Sequence, residues 1–151
     1  MEPIKIIECP RDAMQGIKPF IPTERKVAYI QSLLRVGFDT IDFGSFVSTK
    51  AIPQMQDTAE VLARLDLSQT RSKLLAIIAN TQGARLASVH SEIQYLGFPF
   101  SISENFQMRN THKTIAESLI TLQEILEIAD KSNKEVVAYL SMGFGNPYGD
   151  P

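Results

Sequence analysis

The chain has 151 residues, 15 basic against 17 acidic, and a formal net charge of −2. That near balance gives no electrostatic reason to expect nucleic acid or an anionic membrane surface as a partner. Hydrophobic residues make up 44 % and charged residues 21 %, a profile that excludes disorder and fits one folded domain of the usual ~100–200 residues.

The first apolar run, residues 4–9, reads as a buried strand and ends on Cys9. It is followed by a charged turn, Pro10-Arg11-Asp12-Ala13-Met14-Gln15-Gly16, and a Pro-containing loop over 18–22. A helix is predicted over 23–36, with Thr23 as N-cap, an apolar stripe of Val27, Ile30, Leu33 and Leu34, and Gly37 at the left-handed C-terminal position. A strand at 40–43 precedes a helix at 57–65, where Asp57 and Glu60 stand at capping-box spacing. The apolar run 74–79 is a third strand, and a weak helical pattern over 82–89 is interrupted by Gly83. A fourth strand at 93–98 leads to the best helical pattern, 114–130. Thr114 and Glu117 there form a capping box, and Ile115, Leu119, Leu122, Leu126 and Ala129 make one apolar stripe. A fifth strand at 136–140 is followed by a loop-like stretch, 145–151.

No apolar run approaches the ~20 residues of a membrane span. Met1-Glu2-Pro3 lacks the basic-then-apolar pattern of a secretory signal. The single cysteine, Cys9, excludes an internal disulfide and a cysteine-rich zinc site. A reducing, cytoplasmic setting is the expectation.

The strand and helix patterns alternate, which argues for α/β layering with parallel strands and right-handed crossovers. An open doubly wound sheet and a (β/α)8 barrel compete. The turn after the first strand is charged rather than glycine-rich, so a dinucleotide fingerprint is absent. A complete barrel takes ~250 residues, so as a barrel this chain is a fraction of one.

Ligands of parallel α/β folds gather at the C-terminal ends of strands. That rule selects Arg11, Asp12 and Gln15 after the first strand, and Asp42, Ser45 and Lys50 at and after the second. It adds Asn80 and Thr81, then Ser101, Ser103 and Glu104, then Ser141 and Asn146. Asp12 has the oxygen ligands a hard divalent cation takes. Arg11 has a planar fork suited to a carboxylate or a developing enolate oxygen. Asp42 lies inside an apolar run and needs a buried partner, for which Arg11 is the candidate. A purely structural ion pair accounts for the same spacing. His90 and His112 lack partners at metal-ligand spacing, and Cys9 reads as a small buried residue.

These residues resemble the hydroxymethylglutaryl-CoA lyases. Pro10-Arg11-Asp12-Ala13-Met14-Gln15 looks like the family's Pro-Arg-Asp-Gly-Leu-Gln turn, with alanine in place of glycine. Ser45-Phe46-Val47-Ser48-Thr49-Lys50, then Pro53-Gln54-Met55 and Asp57, look like its second loop. Ser103-Glu104 with Asn110, and Tyr139, Ser141, Gly145, Pro147 and Tyr148, follow its fourth and fifth strand loops. The Arg-Asp-x-x-Gln turn is shared with isopropylmalate and homocitrate synthases, while the Ser-Phe-Val-Ser and Pro-Gln-Met pair is more lyase-like.

The resemblance implies the first four to five parallel (β/α) units of a (β/α)8 TIM barrel, with residues 1–151 as the N-terminal part of the lyase domain. It implies metal-assisted retro-Claisen cleavage of a 3-hydroxyacyl-CoA to acetyl-CoA and a ketoacid, with Mg²⁺ or Mn²⁺ as cofactor. Asp12 would be a metal ligand, and Arg11 and Asp42 catalytic, Asp42 standing where the family has a glutamate. Gln15, Ser45, Lys50 and Ser103 would bind or orient substrate. The family's His-x-His pair, its later Asn and its catalytic cysteine are not in this chain. The expectation is therefore a segment inactive alone, whose open sheet edges are covered by further barrel strands or a homo-oligomer partner. Its alternatives are a related condensing enzyme and a non-catalytic half-barrel that self-associates.

Overall fold

The computed structural model describes residues 4–149. Met1–Pro3, and the last two residues of the 145–151 stretch, lie outside the described residues. The elements run β1 (Ile7–Glu8), α1 (Pro10–Gln15), α2 (Thr23–Leu34), β2 (Thr40–Ser45), a 3-10 turn (Pro53–Met55), α3 (Thr58–Arg64), β3 (Lys73–Ile77), α4 (Thr81–Ser88), β4 (Ile93–Ser101), α5 (Glu104–Thr111), α6 (Ile115–Lys131) and β5 (Glu135–Ser141).

The five strands form one sheet in the order β1-β2-β3-β4-β5, and every neighbouring pair is parallel. A doubly wound sheet reverses its strand order at a switch point. This one never reverses, so right-handed crossovers put its helices on a single face. The result is a half-barrel, which decides between the two expected architectures.

Each strand divides its side chains between two faces. Ile41, Phe43, Leu74, Ala76, Ile78, Leu96 and Phe98 form the core beneath the helices with Ile30, Leu34, Val61, Leu62, Ala87, Ile125 and Ala129. The alternate residues point to the concave side. Leu75 and Ile77 lie there against Gly97, with the Tyr139 ring beside them. Asp42 shares that face by alternation with Ile41 and Phe43.

Several expectations need correction. The first strand is shorter than 4–9, because only Ile7 and Glu8 pair with β2. Ile4, at 93 % exposed, packs against nothing that would hold it in a sheet. The charged turn is a helix, α1: Pro10 sits in its first turn with φ already preset, and Asp12 follows there. Thr23 is not the N-cap of α2; Pro22 is, and the Thr23 hydroxyl donates to Asp57 Oδ2 at 2.8 Å. Asp57 does cap α3 by position, but its side chain makes no capping bond. Its carboxylate serves Thr23 and the buried Lys26 ammonium (2.6 Å) instead.

Helix α5 was not expected. Its Asn, Gln, Arg and Thr residues carry no apolar period, and it is set by Ser103, whose hydroxyl accepts from Phe106 N at 3.2 Å. The capping box of α6 is present. Its buried face, however, is Ser118, Thr121, Ile125 and Ala129. Leu119 (51 % exposed) and Leu126 (49 %) face outward. Gln107 explains the rotation: its buried amide donates to Ser118 Oγ at 2.7 Å and so draws the hydroxyl side of the helix inward.

Gly83 marks a close approach. A Cβ there would lie 2.8 Å from the Phe46 carbonyl oxygen in the loop after β2. Helix propensity alone favours alanine by about 1 kcal/mol. The backbone clash outweighs it, and Gly83→Ala is expected to lose about 1–3 kcal/mol in urea denaturation.

Candidate functional site

Arg11, Asp12 and Gln15 project from α1 at the C-terminal end of β1, beside Asp42 in β2. Arg11 Nε donates to Asp42 Oδ1 at 3.2 Å and Nη2 to Asp42 Oδ2 at 2.5 Å, a two-pronged pairing that a lysine could not make. Arg11 Nη1 donates to Asp12 Oδ1 at 2.8 Å and to Gln15 Oε1 at 3.1 Å. Gln15 Nε2 closes the ring by donating to Asp12 Oδ1 at 2.9 Å. The structure therefore gathers three of the expected site residues, Asp12, Gln15 and Asp42, around the guanidinium of a fourth, Arg11.

The two carboxylates are held differently. Asp42 is wholly buried and both of its oxygens are taken by Arg11. The Asp12 side chain is 63 % exposed and turns outward. Burial pushes the Asp42 carboxyl above the usual range, and the Arg11 hydrogen bonds pull back only part of that. Burial also works against the Arg11 charge, but the Asp42 bonds and negative charge prevail and hold its pKa above the ordinary value. Cys9 next door is pushed up by burial and by Asp42, so it is no activated thiol.

The segment that follows α1 is tied down by a second knot. Gln54 Nε2 donates to the carbonyls of Ile17 (2.8 Å) and Pro19 (3.0 Å), and Gln54 Oε1 accepts from Ile21 N (2.8 Å). The Lys26 ammonium donates to the Gln54 carbonyl and to Asp57, and lies 4.1 Å from the Phe20 ring centroid. The Pro53-Gln54-Met55 motif thus fixes the exit of α1 rather than facing a ligand.

The remaining candidates have local duties. Ser45 Oγ donates to the Ile77 carbonyl (3.3 Å) and accepts from Val47 N (3.2 Å), shaping its own loop. Ser103 caps α5, Asn80 Oδ1 caps α4 through Gly83 N (2.9 Å), and Glu104 accepts from Ile115 N (3.0 Å). Ser101 Oγ donates to the Ser141 carbonyl at 3.0 Å. Lys50 is exposed in the loop after β2, with no side-chain bond to the Arg11 cluster. His90 stacks near Phe46, 5.5 Å between centroids, and His112 closes α5 in a left-handed conformation. A cavity of about 580 Å³ between α2 and the loop after α3, lined by Gln31, Leu34, Asp66 and Thr70 among others, is bridged by Arg64 and Glu24. Its lining does not include Arg11, and it reads as a gap between α2 and that loop.

Among the described residues no three His, Cys, Asp or Glu side chains gather as a metal site. Asp42 has no oxygen to spare, and one outward carboxylate falls short of the oxygen shell that Mg²⁺ requires. The described residues do not by themselves fit the implied cation.

Tyr139 is the residue the sequence reading does not single out for chemistry. Its ring lies over Gly97, and its buried hydroxyl has no hydrogen-bond partner among the described residues. Burial and then the Asp42 charge push its pKa up to about 12. The signal was available in the β5 alternation, which turns Tyr139 away from the core-packed Val136.

Two expected outcomes follow from this geometry. Asp42→Ala strands a buried guanidinium and is expected to lose about 3–5 kcal/mol of stability in urea. In an alkaline absorbance titration, one phenol of the four tyrosines should ionise late, near 12, and Tyr139→Phe should remove that step. The folded value lies above the unfolded one, so this stabilising contribution is complete below pH 10 and fades as pH rises toward 12.

No family model matches the chain. Curated relatives and solved structures do. The cytoplasmic 3-hydroxy-3-methylglutaryl-CoA lyase of Rattus norvegicus is 33 % identical over 150 residues, covering 97 % of this chain and 43 % of the relative. The crystal structure of the Bacillus subtilis HMG-CoA lyase superposes with a TM-score of 0.90 at 33 % identity, over 98 % of this chain and 49 % of that one. An Acinetobacter baumannii HMG-CoA lyase, solved in complex with coenzyme A and 3-methylmalate, gives a TM-score of 0.87 at 29 % identity, over 96 % and 47 %. The chain thus spans less than half the length of these relatives. Shared sequence and shared fold over nearly all of its residues make this chain similar to the N-terminal portion of the hydroxymethylglutaryl-CoA lyases.

Proposed function

We propose that residues 1–151 are the N-terminal part of a barrel lyase domain that cleaves a carbon–carbon bond in a 3-hydroxyacyl-CoA. Hydroxymethylglutaryl-CoA is the substrate type, and acetyl-CoA and a ketoacid are the products. One observation carries this reading: Arg11 is clamped by Asp42, Asp12 and Gln15 at the strand ends of a lyase-like half-barrel.

In such a cleavage a base from outside residues 4–149 takes the hydroxyl proton, the carbon–carbon bond breaks with its electron pair moving onto the thioester as an enolate, and a proton returned to the enolate carbon gives acetyl-CoA. The charge that grows on the thioester oxygen needs a donor held in place beforehand. A guanidinium has five N–H groups. The four bonds to Asp42, Asp12 and Gln15 leave one Nη2 hydrogen without a partner among the described residues. Arg11 is the oxyanion donor in this scheme.

Asp42 positions rather than abstracts: its oxygens are committed and no water reaches them. Gln15 orients Arg11 and Asp12 together. Asp12 contributes one outward carboxylate to a cation site whose other ligands come from outside residues 4–149. Lys50 offers an exposed ammonium to the anionic CoA, and Ser45 and Ser103 shape the loops around it. The Acinetobacter relative's CoA complex supports that ligand class, and the rat relative's name supports a cytoplasmic setting. Further barrel strands, or failing them a second copy, cover the open sheet edges. The relatives are lyases by name, which favours cleavage over condensation.

The isolated chain is expected to show no cleavage of hydroxymethylglutaryl-CoA above background and only weak Mn²⁺ binding. Acetoacetate release and calorimetric titration measure the two. Clear turnover by residues 1–151 would refute the dependence on further strands. A self-associated chain that binds CoA tightly without turnover would favour the non-catalytic half-barrel.

A further inference from the structure

The concave face holds one polar group that nothing described above uses. The Tyr139 hydroxyl is buried, and it is the one buried side-chain polar atom without a partner among the described residues. Such an orphan is costly, because its desolvation is uncompensated. The surroundings show why it sits there. At Gly97 the sheet has no side chain, and a Cβ would lie 3.1 Å from Tyr139 Cε2 and closer still to Ile77 and Leu75. The missing side chain opens a bed on which the Tyr139 ring lies across β4. Of the groups whose charge acts on it, Asp42 is the strongest, followed by Cys9, Arg11 and Asp12. The ring therefore carries its hydroxyl from β5 toward the cluster at the ends of β1 and β2.

The chemistry of that hydroxyl is one-sided. With its pKa near 12 it stays protonated in any neutral solution, so it serves as a donor and not as a base. The Asp42 oxygens are both saturated by Arg11 and offer it no strong acceptor.

We propose that Tyr139 is a substrate-binding residue, its buried hydroxyl donating to an oxygen of the acyl group of a hydroxyacyl-CoA held beside Arg11. The inference rests on the proposed function and deepens it. Arg11 Nη2 and Tyr139 Oη form two donors on the concave side, contributed by α1 after the first strand and by the last strand of the half-barrel. A substrate acyl oxygen between them relieves the unpaired phenol and receives a second hydrogen bond. Binding free energy that the empty chain lacks is thus tied to the acyl group and not to the nucleotide half of CoA.

The test uses the full chain, with Tyr139→Phe as the variant because it keeps the ring over Gly97 and removes only the hydroxyl. Wild type and variant are titrated calorimetrically with hydroxymethylglutaryl-CoA and, separately, with coenzyme A, and their melting temperatures are compared. The expected result is a Tm that is unchanged or higher in the variant. Its affinity for hydroxymethylglutaryl-CoA should fall about five- to tenfold, and its affinity for coenzyme A should stay the same. Equal affinity of both proteins for the acyl-CoA overturns the role of Tyr139 and leaves the lyase reading standing. A lower Tm with equal loss for both ligands also overturns it, since the hydroxyl would then be structural. If wild type binds neither ligand, the assignment of Tyr139 as a binding residue of this chain falls, while the lyase reading, which expects the site to need further strands, stands.

Discussion

The whole candidate site depends on one buried ion pair. Arg11, in α1, and Asp42, in β2, stand 31 positions apart and meet where water does not reach. Removing two charges from water costs several kcal/mol each, so such a pair seldom adds net stability. What it adds is direction. The planar fork accepts one orientation against the carboxylate, and that orientation fixes the short helix α1 relative to β2. A six-residue helix has too few internal bonds to hold itself. Its place comes from Arg11 at one end and from the Gln54 bonds to residues 17, 19 and 21 at the other. The outward carboxylate of Asp12 and the spare hydrogen of Arg11 inherit their positions from these two anchors.

The two knots also divide labour between the second strand and its loop. Asp42 lies in β2 and faces the concave side, where chemistry is proposed. Asp57, fifteen positions on, lies under the helices and neutralises Lys26. Both are buried carboxylates with a buried cation, yet one pair borders the open concave face and the other is sealed against Phe20. Alternation along a strand explains the first, and packing of α2 against the Pro53–Met55 turn explains the second.

Much of this architecture was legible before any coordinates. Parallel strands buried on both faces are apolar on consecutive positions, so β2 to β4 stand out in the sequence, β5 carries the same apolar run though it is half-exposed, and Thr114 with Glu117 marks α6 unambiguously. The misses share a cause: tertiary partners overrule local pattern. Asp57 has capping-box spacing, but an ammonium competes for its oxygens. Leu119 and Leu126 complete a stripe by period, but Gln107 holds Ser118 inward and turns them out. Helix α5 has no apolar face to read, since only Gln107 of its residues is buried. In the site, Arg11 and Asp42 could be paired from spacing because a carboxylate inside an apolar strand demands a cation. Tyr139 could not be paired that way, because what marks it is the absence of a partner, and absence is visible only in three dimensions.

The concave face also explains why the half-barrel is an unfinished solution physically. On the helix side, every strand from β2 to β4 is covered by apolar side chains. On the other side, Leu75 and Ile77 are buried, with the Tyr139 ring beside them over Gly97. β1 contributes only two paired residues, and Leu140 of β5 stays 66 % exposed. A parallel sheet normally has both faces and both edges occupied. Here the polar residues on the concave face point inward to a space that one half of a barrel cannot close. Arg11 and Tyr139 gain their strength as donors only where water is excluded. The proposed cover over the edges of β1 and β5 would therefore do more than stabilise the sheet: it would lower the dielectric around the two proposed donors and make the charge of Arg11 count.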